Sequence, residues 1–304
     1  MMHLEKLLKN DRLMRALTGL NAREFTNLLP DFEKQWTTFR QKQYDSTLHR
    51  ERKPGGGRKG FVKTTPEKLF FILFYYKCYP TYDVLSFLYD CNRSNACRRQ
   101  QRMSTLLEAT LKRKLVLPKR QLRNIDDFFK AFPEAKEVFI DGTERPMQRP
   151  QAPKQQKANY SGKKKRHTKK NLIISTRKRY VGFLSKTAEG KEHDMTILKA
   201  QAPPRAIPKK VKTHADLGFK GIEKQYPDHS FSMPLRKPRM RDLTETQKNR
   251  NKKKSSVRVL VEHAIGGIKR LRIVSDVFRN KKVGFDDQAM LISCGLWNYH
   301  LVMR

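Results

Sequence analysis

The sequence predicts an α/β domain, with a mixed sheet flanked by helices, that follows an all-helical N-terminal part. Two observations support this expectation. Apolar residues recur at helical spacing from about residue 21 to residue 107. Short apolar segments typical of strands replace that pattern after residue 125, and two of them lead directly into an aspartate. The whole chain is also strongly basic, which bears on its partner.

The net charge restricts the partner class. The 304 residues include 67 Lys and Arg against 29 Asp and Glu, so the formal net charge is +38. Such an excess repels itself unless a polyanion is bound. Nucleic acid is the obvious polyanion, because each phosphate neutralised by Lys or Arg releases counterions. The longest apolar segment, residues 69–76, is far shorter than the roughly 20 residues of a membrane-spanning helix. We therefore expect a DNA partner and no membrane.

The cysteines and the start of the chain indicate the compartment. No zinc-type spacing joins Cys78, Cys91, Cys97 and Cys294, and free cysteines commonly serve as small apolar residues. Residues 1–10 lack the apolar run of a secretory signal. We expect a reduced, cytoplasmic protein that is associated with the nucleoid.

The first helices are predicted from caps and spacing. Asn21 with Glu24 three residues later has the pattern of a capping box before a helically spaced apolar run. Residues 52–60 (RKPGGGRKG) lack the spacing of a phosphate-binding loop, so we expect a linker or a DNA-backbone contact and no nucleotide cofactor. The next helix is predicted to have Thr65 as its cap and Pro66 in its first turn.

A helix-turn-helix is predicted next. A short helix over residues 81–89 is followed by a tight turn at residues 90–92 and by a helix from Arg93 to about Leu107. In this layout the second helix enters the major groove of DNA. A three-helix bundle with a solvated basic face has the same pattern, and the net charge favours DNA binding. The exposed side of the last helix presents Arg98, Arg99 and Arg102.

Two predicted strands each end on an aspartate. Residues 137–140 are apolar and lead into Asp141, and residues 211–215 lead into Asp216. An α/β layer fold can bring such strand ends together at one edge of a sheet. These aspartates are therefore candidate site residues.

The other elements of this part complete the predicted domain. Residues 172–176 and 180–186 are expected to pair as a hairpin, and residues 194–200 to form a helix. A polar, basic stretch over residues 236–256 precedes a helix predicted from Val257 to about Ile273. We expect three domains: an N-terminal helical segment (1–50), a helix-turn-helix domain (51–125) and the α/β domain (126–304).

Asp141, Asp216 and Glu262 are the candidate catalytic carboxylates. Phosphodiester cleavage is well served by two divalent ions about 4 Å apart. Mg²⁺ prefers oxygen ligands and keeps several waters, so two or three carboxylates can hold both ions. Without a cation, clustered carboxylates would repel one another. We expect two Mg²⁺ or Mn²⁺ ions at this site.

The helix that carries Glu262 offers a second indication. At about 100° per residue, Arg258, Glu262 and Lys269 fall within roughly 40° of one another, beside an apolar stripe. An i, i+4 ion pair between Arg258 and Glu262 would explain part of this pattern. Together with two strand-end aspartates and a cationic chain, a phosphate-binding surface around a metal-binding glutamate explains it better.

Several sequence segments resemble one known family. They are IDGTERP (140–146), YSGKKKRHTK (160–169), GKEHD (190–194), ADLGF (215–219) and VEH with IKR (261–263 and 268–270). In order and spacing, from about residue 60 onward, the chain resembles insertion-sequence transposases of the DDE superfamily, in particular the insertion sequence five (IS five) group. Many members carry a tyrosine, arginine, glutamate and lysine signature. Arg258, Glu262 and Lys269 keep that spacing, and Ser255 stands at the tyrosine position.

The resemblance implies a fold and an activity. It implies an RNase H-like catalytic domain in which Asp141, Asp216 and Glu262 bind the metals. Arg258 and Lys269 would hold DNA phosphates near the cut. The protein would bind terminal inverted repeats, cleave the strands and join the freed 3′-hydroxyls to target DNA without ATP. A homo-oligomer on double-stranded DNA, joining the element ends with the target, is also implied.

The remaining candidates each have two interpretations. His193 and Asp194 could assist at the site, although Asp194 also suits a helix cap. His214 shares a strand face with Asp216, so it lies near the metals or packs beside them. The basic run from Lys163 to Lys170 is expected to lie along the DNA backbone, although such runs are usually solvated surface. That run includes Lys163, Lys164, Lys165 and Arg166.

Two other functions explain part of the pattern. A metal-dependent DNA endonuclease of the same fold that does not join strands would account for all three carboxylates. A helix-turn-helix regulator would account for the charge but would leave the carboxylates without a role.

Overall fold

The computed structural model describes residues 4–45, 60–238 and 240–304. The helices are α1 (Leu4–Leu8), α2 (Asp11–Thr18), α3 (Ala22–Asp45), α4 (Thr65–Cys78), α5 (Tyr82–Tyr89), α6 (Arg93–Arg113), α7 (Ile125–Ala131), α8 (Pro153–Asn159), α9 (Asp194–Gln201), α10 (Ile222–Gln225), α11 (Glu245–Lys269), α12 (Arg272–Ser275) and α13 (Phe285–Val302). The strands are β1 (Glu137–Pro146), β2 (Tyr160–Ser161), β3 (Arg166–Thr176), β4 (Val181–Leu184), β5 (Ala188–Glu189), β6 (Lys212–His214) and β7 (Phe231–Ser232). The predicted linker over residues 52–60 lies, apart from Gly60, outside the described residues, as does the domain boundary predicted at residue 50.

These residues form two compact units. The helical unit comprises residues 4–45, 60–117, 270–276 and 288–304, and the sheet unit comprises residues 118–238, 240–269 and 277–287. This division differs from the predicted boundary between residues 125 and 126. The chain joins the sheet unit earlier, because Lys119 pairs with Phe183 beside β4. The end of the chain returns to the helical unit, where Asn298 donates to the Val116 carbonyl at 2.8 Å.

Capping side chains set the helix starts in the helical unit. Asn21 and Glu24 form the predicted reciprocal box: the Glu24 N–H donates to Asn21 at 2.8 Å, and the Asn21 N–H donates to Glu24 at 2.9 Å. The cap of α4 is Thr64, so the prediction of Thr65 was wrong by one residue. Only Thr64 has a glutamate, Glu67, three residues later to complete the box.

The sheet is mixed. Its order is β2-β3-β1-β6-β7, with β4 and β5 pairing with β3. Strand β1 runs antiparallel to β3 and parallel to β6, and β6 runs parallel to β7. Strands β3 and β4 are joined as the predicted hairpin. The predicted fold class is confirmed: a helical part precedes an RNase H-like arrangement of a mixed sheet flanked by helices.

Two elements of the sheet unit are longer than expected. Strand β1 continues past Asp141 because β3 pairs with it as far as Pro146. Helix α11 begins at Glu245, inside the polar, basic stretch expected to precede it, because Thr244 caps it through the Gln247 N–H at 3.3 Å. Its first half buries no side chain, so apolar periodicity could not reveal it.

One face of the sheet carries the main core of its unit. Alternation along β1 sends Val138 and Ile140 into a buried cluster that includes Ile197 of α9 and Phe128 of α7. Phe139 and Asp141 consequently lie on the opposite face. None of the helices described is long and apolar enough to cross a membrane.

Candidate active site and DNA-binding surface

Asp141 and Asp216, the acidic pair, meet beyond the carboxyl end of a parallel strand pair. The register of β1 and β6 sets Phe139 opposite His214. Each aspartate lies two residues further along, on the same face as that residue. Asp216 also caps a single 3₁₀ turn, where its Oδ1 accepts the Gly218 N–H at 2.7 Å. The fold therefore brings together two of the three predicted carboxylates.

Asp141 has an electrostatically unfavourable environment. Its pKa is raised from 3.8 to about 6, mainly by burial and then by the charge of Asp216. The Gly142 N–H donates to Asp141 at 2.8 Å. This hydrogen bond and the charge of Arg258 lower the pKa of Asp141, but by less than burial and Asp216 raise it. The charge of Asp194 raises it further. Burial and the neighbouring carboxylate of Asp216 therefore make the ionised form of Asp141 unfavourable in the free protein.

The acidic pair fits a divalent cation. In residues 4–45, 60–238 and 240–304, no three His, Cys, Asp or Glu side chains are grouped closely enough to hold a metal as they stand. The pair nevertheless supplies hard oxygen donors, which Mg²⁺ prefers, and its uncompensated charge would be relieved by a cation. Gly218 leaves room for the Asp216 carboxylate. A Cβ at this position would lie 2.8 Å from Asp216 Oδ1, which is too close for a van der Waals contact.

Glu262 lies apart from the pair in this conformation. Helix α11 packs on β1 and β3, and it buries Val261, Ala264 and Ile268. Glu262 is exposed on the same helix, and within the described part of the chain no hydrogen bond or ion pair links it to Asp141 or to Arg258. The i, i+4 ion pair is therefore not formed here.

Arg258 and Lys269 flank the acidic pair. The charge of Arg258 acts on Asp141, and the Arg258 Nε is buried without a hydrogen-bond partner. Lys269 donates to the Glu144 carbonyl at 3.3 Å. Burial lowers the pKa of Lys269, and the nearby charge of Lys164 lowers it further. Positive groups thus collect beside the acidic pair.

The basic run forms the exposed turn between β2 and β3. Lys165 has a positive φ of 53°, which marks the tight turn. Lys163, Lys164 and Arg166 are exposed beside it, and Lys164 is close enough to influence Lys269. The turn therefore extends the positive surface near α11.

The three assisting candidates have different surroundings. His214 Nε2 lies 3.0 Å from Glu137 and its ring stacks on Phe139 at 4.7 Å. Burial lowers the pKa of His214 in spite of Glu137. His214 therefore packs beside the site. His193 is exposed and precedes α9 without a side-chain capping bond.

Asp194 does not cap α9, of which it is the first residue. Its carboxylate lies against Gly142, where a Cβ would be 2.8 Å from Oδ1. Lys170, the last residue of the predicted basic run, lies 3.3 Å from the same Oδ1 and donates to the Glu192 carbonyl at 2.7 Å. Lys170 belongs to a basic strand, β3, and nothing in its spacing marked it as different.

The helix-turn-helix is present in the helical unit. Helix α5 is followed by a short turn and by α6, which continues six residues beyond the predicted Leu107. Arg98 is exposed, and Arg99 and Arg102 lie over the rings of Phe61 and Phe39 at 5.6 and 5.5 Å. All three arginines line one open groove. Burial and the charge of Arg102 lower the pKa of Arg99.

A helix-turn-helix and acidic residues at a sheet edge are both features of enzymes that bind and cleave DNA. Family comparison identifies the class. Residues 140–298 match the model of the DDE superfamily endonucleases, and residues 64–113 match that of their helix-turn-helix. The chain therefore belongs to the DDE superfamily endonucleases, which generally depend on divalent metal.

A curated relative and the solved structures give a more limited comparison. The chain is 27% identical over 256 residues to the probable transposase for insertion sequence element IS702 of Microchaete diplosiphon, covering 84% of this chain and 86% of that protein. No solved structure matches. The sequence-based expectation of a DDE-superfamily transposase-like protein is thus supported at the level of the superfamily.

Proposed function

We propose that this chain is a transposase of the IS five type. It would bind the terminal inverted repeats of an insertion sequence, cleave the DNA at the element's ends and join the 3′-hydroxyls to target DNA. The observation that carries the proposal is the convergence of Asp141 and Asp216 at one sheet edge in a DDE superfamily endonuclease. The similarity to the probable transposase for insertion sequence element IS702 supports the insertion-sequence context.

The helical unit would recognise the DNA ends. Helix α6 would enter the major groove, and its arginines would contact bases and phosphates. We expect Arg98→Ala and Arg102→Ala each to weaken binding to the repeat about tenfold and to reduce the salt dependence by roughly one phosphate contact. Electrophoretic mobility shift over a salt series measures both. Arg12→Ala, which removes an exposed arginine from α2, is the matched control, and equal losses in all three variants would contradict major-groove binding by α6.

The sheet unit would carry the chemistry. Asp141, Asp216 and Glu262 are the proposed ligands of two Mg²⁺ or Mn²⁺ ions. Such ions activate the attacking oxygen and stabilise the leaving oxygen of a phosphodiester. Glu262 would join the pair from α11, which already packs on the strand of Asp141.

Positive side chains would hold the scissile strand. The buried Arg258 Nε has a hydrogen to donate and no acceptor, so a DNA phosphate oxygen is the acceptor we propose. Lys269 and the turn over residues 163–166 would continue the phosphate path. Their role is to place the reacting phosphorus against the acidic pair.

The reaction balances without a nucleotide cofactor. Water first cleaves the strand and leaves a 3′-hydroxyl at the element's end. That hydroxyl then attacks a phosphorus of target DNA, so one phosphodiester forms as another breaks and a target 3′-hydroxyl is released. Joining two ends requires two active sites near one target, so we propose a homo-oligomer assembled on DNA at the nucleoid, in the cytoplasm.

Cleavage of a labelled duplex tests the proposal. The duplex carries the repeats that flank the gene, and wild type is compared with Asp216→Ala in Mg²⁺ and in EDTA. We expect metal-dependent cutting at the repeat boundary and joined products with a target plasmid, both absent in the variant. Cutting without joining would identify an endonuclease that does not transfer strands. Binding without cutting in Mg²⁺ or Mn²⁺ would contradict the enzymatic proposal.

A further inference from the structure

A large aromatic side chain of the helix-turn-helix lies almost entirely in solvent. Phe87, on α5, is 87% exposed, whereas Leu85 of the same helix is fully buried. Burial of a phenylalanine side chain is strongly favourable, and the helical unit makes little use of this one. A single exposed apolar residue is ordinary on a protein surface, so the surroundings of Phe87 decide whether it has a role.

The surroundings of Phe87 are cationic. It lines an open groove of about 1410 Å³ whose other wall includes Lys63 and one face of α6. The α6 residues of the groove are spaced i, i+3, i+4 and i+7, as neighbours on one helix face are: Asn95, Arg98, Arg99 and Arg102. Within the described residues, four basic side chains and one carboxylate, that of Asp90, line the groove. Its charge therefore complements a polyanion.

The polar side chains of this groove present hydrogen-bond donors. Arg98 donates to Asn95 at 2.8 Å, which fixes the two side chains relative to each other. The Arg99 guanidinium lies over the ring of Phe61 at 5.6 Å. Phe87 is consequently an apolar group within a surface of positioned donors, and a partner of this surface needs acceptors and an apolar group side by side.

The major groove of DNA offers that combination. Guanine presents two acceptors there, O6 and N7, and thymine presents its C5-methyl group. Arginine is the usual partner of guanine, and phenylalanine is among the side chains that contact the thymine methyl. Insertion of an aromatic wedge between base steps is typical of minor-groove proteins, whereas a helix-turn-helix places its second helix in the major groove. A methyl contact therefore fits Phe87 better than insertion between bases.

We propose that Phe87 contacts the C5-methyl group of a thymine in the major groove and so determines part of the sequence preference of this protein. The inference rests on the proposed function, because it names a base contact made when α6 enters the groove. Phe87 belongs to the helix before α6, so its contact would add to those of the α6 arginines.

Replacement of thymine by uracil tests the contact, because it removes only the methyl group. Each thymine of the terminal repeat is replaced singly by deoxyuridine, and dissociation constants are measured by mobility shift at one salt concentration. We expect one or two replacements to weaken wild-type binding about fourfold, the effect of one buried methyl group. Phe87→Ala should bind the unmodified repeat about tenfold more weakly and should not respond to uracil at those positions.

Two controls separate this contact from other effects. Phe129→Ala removes a phenylalanine that is 47% exposed on α7 and is not among the residues of the groove. It should keep the wild-type affinity and the wild-type response to uracil. Because Phe87 makes no phosphate contact in this proposal, Phe87→Ala should also keep the wild-type salt dependence, which Arg98→Ala lowers. Thermal unfolding of Phe87→Ala should match wild type, since the side chain is exposed.

The outcomes distinguish the role of Phe87 from the proposed function. A wild type that prefers the repeat to random duplex but does not respond to uracil would overturn the role of Phe87 alone. An equal response to uracil in Phe87→Ala and wild type would also overturn it, and would indicate stacking on a base. The same response with a smaller assembly of free Phe87→Ala in sedimentation would indicate a contact between copies of the chain. Equal binding of repeat and random duplex would overturn the proposed recognition of the repeats and the thymine contact with it.

Discussion

The helical unit and the sheet unit each bury an acid, and the two acids differ in how they are compensated. Glu24 is 2% exposed. Burial opposes its ionisation, but hydrogen bonds from His300 and from the Asn21 N–H, with the charge of Arg270, outweigh burial and lower its pKa. Asp141 is also largely buried, yet its pKa is raised to about 6 because burial is joined by the charge of Asp216 beside it.

This difference separates a structural acid from one available to a ligand. His300 Nδ1 lies 2.6 Å from Glu24, whose other oxygen accepts the Asn21 N–H, so both oxygens are used within the fold. Asp141 accepts the Gly142 N–H and faces further negative charge. Folding therefore gains from the ionised Glu24 and loses from the ionised Asp141. Such a loss is common at functional sites, where groups are arranged for a ligand.

Loss of DNA cleavage is the largest effect we expect. Asp141→Asn and Glu262→Gln should each reduce strand cleavage on the order of 10³-fold or more, because each removes a proposed metal ligand. DNA binding should remain nearly intact, since the proposed recognition helix α6 is in the helical unit. Cleavage of labelled repeat DNA and mobility shift measure the two properties.

Exposed acids of the sheet unit serve as controls for these variants. Asp126→Asn and Glu223→Gln remove acids of the same types, both exposed and remote from the acidic pair in sequence. They should cleave at the wild-type rate. Full cleavage by Asp141→Asn would refute the assignment of the pair, whereas full cleavage by Glu262→Gln alone would remove only the helix glutamate from the site.

A loss of stability is expected at the structural acid. Glu24→Gln keeps an acceptor for the Asn21 N–H but loses the charge that His300 and Arg270 compensate. We expect the free energy of unfolding to fall by about 3 kcal/mol, as measured by urea denaturation at pH 7. The folded pKa of Glu24 is lowered, so its contribution is present above pH 4.5 and is lost as the pH falls below that value.

Glu33→Gln is the matched control on the same helix, because Glu33 is exposed. Its unfolding should be that of wild type. If Glu24→Gln unfolds no more easily than Glu33→Gln, the ionised Glu24 does not stabilise the fold, and the contrast between Glu24 and Asp141 is contradicted.

Local sequence patterns predicted the acidic pair and the strands that lead into it. Asp141 and Asp216 each follow a short apolar segment, and the parallel pairing of these two segments brings the residues that follow them to one place. The pattern did not show that β1 continues to Pro146, because that extension depends on pairing with β3, which is distant along the chain. The pattern also did not predict the first half of α11, because that half buries no side chain and therefore has no apolar periodicity.

Tertiary packing decided the rest of the site. From the sequence, Asp194 fitted a helix cap as well as an assisting role, whereas in the fold it makes no capping bond and α9 places its carboxylate against Gly142. Lys170 is one of many basic residues of its segment, and its ion pair with Asp194 depends on the same packing. Glu262 was placed on the right helix, but the rotation and position of α11 leave it exposed, which no local pattern specifies.

The smallest effect we expect is a gain in stability at the active site. Asp141→Asn removes a charge that folding brings beside Asp216, so the metal-free variant should be more stable by about 1 kcal/mol at pH 7. In wild type the folded pKa of about 6 exceeds the ordinary 3.8, so the native state binds more protons than the unfolded state between these values. Stability from this group is therefore lost as the pH rises from 3.8 to 6 and stays lost above it. Thermal unfolding in EDTA across this range should show the variant's advantage growing up to about pH 6 and then levelling. An advantage independent of pH would mean that the gain does not come from removing the charge of Asp141.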